Sequence, residues 1–344
     1  MDERAFWVGT YTGEAGGGAG VYRVRRREDG TLADVRLAAE AASPSYLAVH
    51  PGGRVVYAVR EEDAGGVTAF EVDGEDLREI GRRDAGSLPC HVSVTPGGGH
   101  LLVADYGSGT VRAVPLTPDG RFAGEPAVAQ GHGTGPVTDR QEGPHAHMAA
   151  SAPDGLVLAA DLGADLIRAF RLENGALHLA GETPVPAGCG PRHFVFHPSG
   201  HIYAITELAA TVLVLRPVAG PEHGYAALEV VGEGPALAAP DGGHAQCAAI
   251  KLGDDGRFLY TSTRGADVVT AHRILDGGAR LEAVADVPSG GAWPRDLHVD
   301  GEWLHVANER GNAIATFRIG ADGVPVQAGP PLAVPAPVCV VPAV

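Results

Sequence analysis

Short runs in which apolar and polar residues alternate recur from one end of the chain to the other, and no apolar stripe at helical spacing is sustained anywhere. One such run repeats recognisably. Pro44-Ser45-Tyr46-Leu47-Ala48-Val49-His50-Pro51 returns as Pro89-Cys90-His91-Val92-Ser93-Val94-Thr95-Pro96 and as Pro191-Arg192-His193-Phe194-Val195-Phe196-His197-Pro198. Weaker copies start at Ala146, Cys247, Pro294 and Pro337. After most anchors comes a Pro-Gly or Asp-Gly turn and an apolar strand, such as Val55-Val56-Tyr57-Ala58-Val59. A third strand, as in Thr211-Val212-Leu213-Val214-Leu215, and further β-rich sequence such as Ala227-Leu228-Glu229-Val230-Val231 complete the unit.

Four short strands repeating every ~40–50 residues are the pattern of a propeller blade, because one small sheet cannot bury both faces without neighbours. The anchors therefore predict an all-β chain: a seven-bladed β-propeller in a single domain spanning residues 1–344. The last anchor strand has no successors, while Ala5-Phe6-Trp7-Val8-Gly9 and Gly20-Val21-Tyr22-Arg23-Val24 lack an inner partner. Pairing the C-terminal strand with these N-terminal ones completes a blade and removes two open sheet edges.

Composition narrows the partners. The net charge is −16 and Lys251 is the single lysine. Such a surface repels phosphate polymers and anionic lipid heads, so neither nucleic acid nor membrane is expected as a partner. A small anionic ligand fits only an arginine-lined pocket. The opening residues, Met1-Asp2-Glu3-Arg4-Ala5-Phe6, lack a basic stretch followed by an apolar run, which predicts a soluble, cytoplasmic protein. The four cysteines are far apart without Cys-x-x-Cys spacing and are expected as reduced, mostly buried thiols. A monomer is the default expectation.

The repeat also predicts where chemistry gathers. In an antiparallel pair, the start of one strand and the end of the next share an edge, so the residue after each anchor and the end of the following strand lie on one face. The first set is Ser45, Cys90, His147, Arg192, Ala248, Arg295 and Val338; the second is Glu61, Asp105, Asp161, Glu207, Arg264 and Glu309. Arginines, carboxylates and a histidine are thus expected to converge on one mouth, where partial desolvation strengthens each interaction.

Several of these residues lie in motifs with a recognisable likeness. Phe6-Trp7-Val8-Gly9-Thr10-Tyr11-Thr12, the Pro44 anchor, Gly143-Pro144-His145-Ala146-His147, Gly190 with the Pro191 anchor, Glu207-Leu208 and Trp293-Pro294-Arg295 together resemble the seven-bladed lactonase family. That family includes propeller-type 6-phosphogluconolactonases and a fungal carboxy-muconate lactonizing enzyme. The resemblance extends over essentially the whole chain. It implies lactone hydrolysis, foremost of 6-phosphogluconolactone in the pentose phosphate route, with a small anionic sugar lactone as partner. It also implies that His147, Arg192, Glu207 and Arg264 are catalytic. The chain departs from the pattern at Cys247, where proline would fit, and where Val306-Ala307-Asn308 runs into Glu309-Arg310.

Lactone hydrolysis needs an activated water, a stabilised oxyanion and a proton for the leaving alkoxide. His147 and Glu207 are candidates for the proton transfers, in either order. Arg192 and Arg264 suit the oxyanion or a substrate phosphate, because guanidinium is permanently charged and binds oxyanions bidentately. Arg295, His145 and Asp105 are assigned to substrate binding, although Asp105 and Asp161 also have the character of structural carboxylates. His145 and His147 share a spacing compatible with a metal, yet no third ligand motif accompanies them, so no metal and no cofactor are expected. His50 and His197 precede turn prolines at equivalent places and read as structural. A lactonizing cycloisomerase, a hydrolase of another sugar lactone and a non-catalytic protein-binding propeller are the alternatives.

Overall fold

In the computed structural model, which describes residues 4–218, 224–240, 243 and 245–343, the alternating runs form strands in seven antiparallel sheets. Among the described residues the helical elements are three short 3-10 turns. Each sheet takes its strands in order, beginning with the strand at an anchor. Pro89–Val94, His100–Asp105, Thr110–Pro115 and Ala127–Gln130 make one. Ala146–Ser151, Val157–Asp161, Leu166–Glu173 and Ala176–Pro184 make the next. This is the architecture of a seven-bladed β-propeller. Its closing blade is built from both chain ends. Pro337–Ala343 pairs antiparallel with Ala5–Thr10, from Ala5 opposite Ala343 to Thr10 opposite Pro337, and Ala5–Thr10 pairs in turn with Gly20–Arg26.

The chain forms two compact units, one comprising Ala41–Arg192 with Pro217–Glu229, the other Met1–Glu40, His193–Arg216 and Val230–Ala343. Within each, the apolar faces of successive blades cover one another. In the first, Tyr57, Val59 and Val67 pack with Leu101, Val103 and Val114 of the next blade. In the second, Phe258, Tyr260 and Val269 meet Leu304, Val306 and Phe317, and Phe6 and Val8 meet Ala307, Ile314 and Val340. Complete burial of each large apolar side chain contributes about 1.5–3 kcal/mol, available only once the neighbouring blade is present.

A polar latch accompanies this packing. An aromatic residue on the second strand of one blade reaches a glycine in the outer turn of the next. Tyr57 Oη donates to the Gly120 carbonyl at 2.6 Å, Tyr203 Oη to Gly278 at 2.9 Å and Tyr260 Oη to Gly323 at 3.1 Å. Burial pushes the Tyr203 phenol up to about 12. Trp303 takes the corresponding place against Gly30, whose φ is 82°. A Cβ at Gly30 would lie 2.2 Å from the indole, so only glycine fits both the backbone and the contact.

His50 and His197 brace the inner turns, as their repeat positions suggested. The Nδ1 atoms accept backbone N–H groups of Gly52 and Ser199 at 3.1 and 3.2 Å. That tautomer leaves Nε2–H to donate to the carbonyls of Gly98 at 3.2 Å and Gly256 at 2.9 Å.

Candidate functional site

The anchor end of the inner strand is irregular in the same way in several blades. Pairing passes from Pro89 opposite Asp105 to His91 opposite Ala104, which leaves Cys90 as an extra residue. The same bulge falls on His147, Arg295 and Val338. A bulge turns its residue out of the ladder and re-aims the side chain, so the position after the anchor is set apart by the backbone itself. The residue before the anchor is unusual too. Ser43, Leu88, Trp293 and Ala336 have φ of 36°, 50°, 64° and 37°, and Gly190 has 62°. This conformation directs the preceding carbonyls at the end of the second strand. Leu88 O accepts the Tyr106 N–H at 2.9 Å, Trp293 O that of Glu309 at 3.0 Å and Ala336 O that of Tyr11 at 3.1 Å.

In the unit containing residues 41–192, His147 is buried, with Cys90 Sγ of the preceding blade 3.7 Å from its Nδ1 and the Tyr106 ring edge-on at 5.6 Å. His145 is otherwise engaged. Its Nδ1 faces the Tyr106 carbonyl at 2.8 Å, its Nε2 faces Glu142 Oε1 at 3.2 Å and its ring stacks on Tyr106 at 4.3 Å. A backbone hydrogen bond and the contact with His145 hold the Glu142 carboxyl below its usual range. Asp105 is fully buried; its Oδ2 accepts from Thr110 Oγ1 at 2.5 Å and from Arg112 Nε at 2.6 Å. Of the side chains expected to bind substrate, His145 has both ring nitrogens facing protein oxygens, whereas Asp105 keeps one buried oxygen, Oδ1, without a hydrogen-bond partner. Asp161 is structural, as anticipated. Its Oδ1 accepts the N–H groups of His145, Gly163 and Ala164, and its Oδ2 meets Arg168. Arg192, second residue of Pro191–Phe196, is buried.

In the other unit, Glu207 follows Ile202–Thr206 and Arg264 ends Phe258–Arg264. The two form an ion pair at 2.8 Å with side-chain exposures of only 4% and 6%. Arg264 also donates from Nε to Gln246 O and from Nη2 to Cys247 O, both at 3.2 Å. Such a pair survives burial only with further hydrogen bonds to its members, and these carbonyls take up two of the guanidinium's remaining donors. Arg295 is less buried, pairs with Glu309 Oε2 at 3.6 Å and lies over the Tyr11 ring at 4.9 Å.

Cys90 beside His147 and Glu309 beside Arg295 come from the two sets expected on this face, although the pairings themselves were not foreseen, and Trp293, just before the Pro294 anchor, puts its ring 5.6 Å from the Arg264 guanidinium carbon. A signal existed for the first, since Cys90 and His147 occupy the same repeat position in successive units. All four cysteines are buried thiols. Among the described residues, no group of three or more His, Cys, Asp or Glu side chains is placed to hold a metal ion, and no helix is long and apolar enough to cross a membrane.

Known proteins agree with this architecture. The family described as Lactonase, 7-bladed beta-propeller matches residues 5–342. The 6-phosphogluconolactonase of Bacillus subtilis strain 168 is 34% identical over 348 residues, covering 97% of each chain. A crystal structure of a Lactobacillus plantarum protein superposes with a TM-score of 0.91 at 27% identity, over 99% of each chain. The structure of Pseudomonas aeruginosa periplasmic gluconolactonase gives 0.89 at 26% identity, again over 99% of each. The chain belongs to the seven-bladed β-propeller lactonase family.

Proposed function

We propose that the chain hydrolyses 6-phosphogluconolactone to 6-phosphogluconate, using His147, Arg192, Glu207 and Arg264. On this reading it serves the pentose phosphate route in the cytoplasm, acts on a small anionic sugar lactone and needs no cofactor. The similarity to the Bacillus subtilis 6-phosphogluconolactonase along nearly the whole chain supports the substrate. The observation that most supports the chemistry is the Glu207–Arg264 pair, a carboxylate and a guanidinium desolvated together at adjoining strand ends.

Water adds to the lactone carbonyl, the ring C–O bond breaks and the departing alkoxide takes up a proton. His147 and Glu207 are the two groups able to exchange protons in this sequence. Arg192 and Arg264 stabilise the charge that develops on the carbonyl oxygen. The bulge at His147 suits this task, because it holds the imidazole clear of the ladder without using a flexible loop.

The test is turnover of phosphorylated and unphosphorylated sugar lactones measured above spontaneous hydrolysis. His147→Ala and Arg192→Ala are expected to keep the β-sheet circular dichroism spectrum and to lose turnover by about a hundredfold or more. Undiminished turnover in both variants would refute the assignment.

A further inference from the structure

Trp293 occupies a costly conformation. Its φ of 64° is left-handed, and a bulky side chain rarely adopts it unless the surroundings enforce it. Here they do. The Trp293 N–H donates to Asp267 Oδ1 at 2.8 Å, its carbonyl accepts from Glu309 N–H at 3.0 Å, and Gly311 N–H donates to Ala292 O at 3.0 Å. The result is a half-buried indole against two guanidinium groups: the Arg264 carbon lies 5.6 Å and the Arg310 carbon 3.4 Å from the ring centroid.

The two arginines differ in what they have left to offer. Arg264 is buried and paired with Glu207. Arg310 is exposed, and among the described residues no carboxylate lies within ion-pair distance of it. On a chain with net charge −16, this is an uncompensated cation. Its guanidinium carbon lies over an indole at contact distance, and because a cation–π contact of this kind uses the face of the guanidinium, the N–H groups in its plane can take an oxyanion. From Glu207 through Arg264 and Trp293 to Arg310, the row runs from buried to exposed beside residues assigned above to the reaction.

We propose that Trp293 and Arg310 form the receptor for the phosphate substituent of the lactone, with Arg310 as the specificity-determining residue. Arg310 binds the phosphate oxygens through its fork, and Trp293 fixes the plane of that fork relative to Arg264. The strained backbone then has a use, since it keeps the platform rigid when no ligand is bound. The proposal rests on the lactonase reading, and it places the choice between phosphorylated and neutral sugar lactones in the Glu309-Arg310 segment, where the sequence departs from the family pattern.

The experiment compares kcat/KM for 6-phosphogluconolactone and for glucono-δ-lactone in the wild type, Arg310→Gln and Arg310→Lys. In Arg310→Gln the phosphorylated-to-neutral ratio should fall about tenfold to a hundredfold, mainly through KM for the phosphorylated substrate, with partial rescue in Arg310→Lys. An unchanged ratio overturns the proposal while leaving the lactonase reading intact. Wild type that turns over neither lactone sinks the lactonase reading instead. The receptor is then decided by titrating tryptophan fluorescence with 6-phosphogluconate and with gluconate. A response to the phosphorylated acid alone, absent in Trp293→Phe and weakened in Arg310→Gln, supports it; equal responses, or none, overturn it.

Discussion

Replacing Glu207 with Gln keeps the side-chain shape and removes one charge from a pair whose members are each more than nine-tenths buried. Arg264 would then be a buried cation facing an amide. Loss of one partner of a buried pair costs about 3–5 kcal/mol. The lower end applies here, because Arg264 keeps its bonds to Gln246 O and Cys247 O and the new amide oxygen can still accept one bond. About 3 kcal/mol corresponds to a fall in Tm of roughly 4 °C for a chain of this size. Urea unfolding followed by circular dichroism measures it directly. The double variant Glu207→Gln/Arg264→Met provides the control. With the cation gone, the amide faces an apolar side chain of similar length and part of the lost stability returns, whereas turnover stays lost in both. If Glu207→Gln costs less than about 1 kcal/mol, or if the double variant shows the simple sum of the single effects, burial of charge is not what governs this pair.

Two further outcomes follow from the packing. Burial holds His272 and His298 down to about 4 and His305 to about 3, with Lys251 adding to the effect at His298. These imidazoles stay neutral in the fold, while the unfolded chain takes up protons below about pH 6.5. Stability is therefore complete above that pH and falls as pH drops towards 4. Thermal melts from pH 7.5 to 4 should show the decline and His305→Leu should lessen its slope; an unaltered slope would contradict the assignment. At the outer turn, Gly30→Ala adds a Cβ 2.2 Å from Trp303 at a φ of 82°. It should cost about 2–4 kcal/mol in urea unfolding, partly recovered by Trp303→Leu. A cost below about 0.5 kcal/mol would show that the turn yields without penalty.

The blades were legible because the repeat acts through local chemistry: alternation, turn residues and a proline at the start of most inner strands. The closing pair of strands could be inferred because each end lacked a partner. What alternation could not reveal was the bulge at Cys90, His147, Arg295 and Val338, since an extra residue in one strand leaves the run of residue types unchanged. Nor could it reveal the left-handed φ at Leu88 or Trp293. Residues preceding proline usually favour extended backbone, and tertiary hydrogen bonds overrode that preference here. Residue type and strand position single out both His145 and Asp105, yet both ring nitrogens of His145 face protein oxygens while Asp105 retains an unpartnered Oδ1. The identity of a polar residue does not show whether its bonding capacity is already used.

Joining Ala5–Thr10 to Pro337–Ala343 has a bearing on synthesis. Ala5–Thr10 leaves the ribosome with Phe6 and Val8 exposed, and their packing partners around residues 307–340 emerge only after the intervening blades have been made. Intermediate blades can assemble as they appear, whereas the N-terminal hairpin must wait with one hydrogen-bonding edge open. Until Pro337–Ala343 arrives, that open edge is the part of the nascent chain most exposed to aggregation and to chaperone capture.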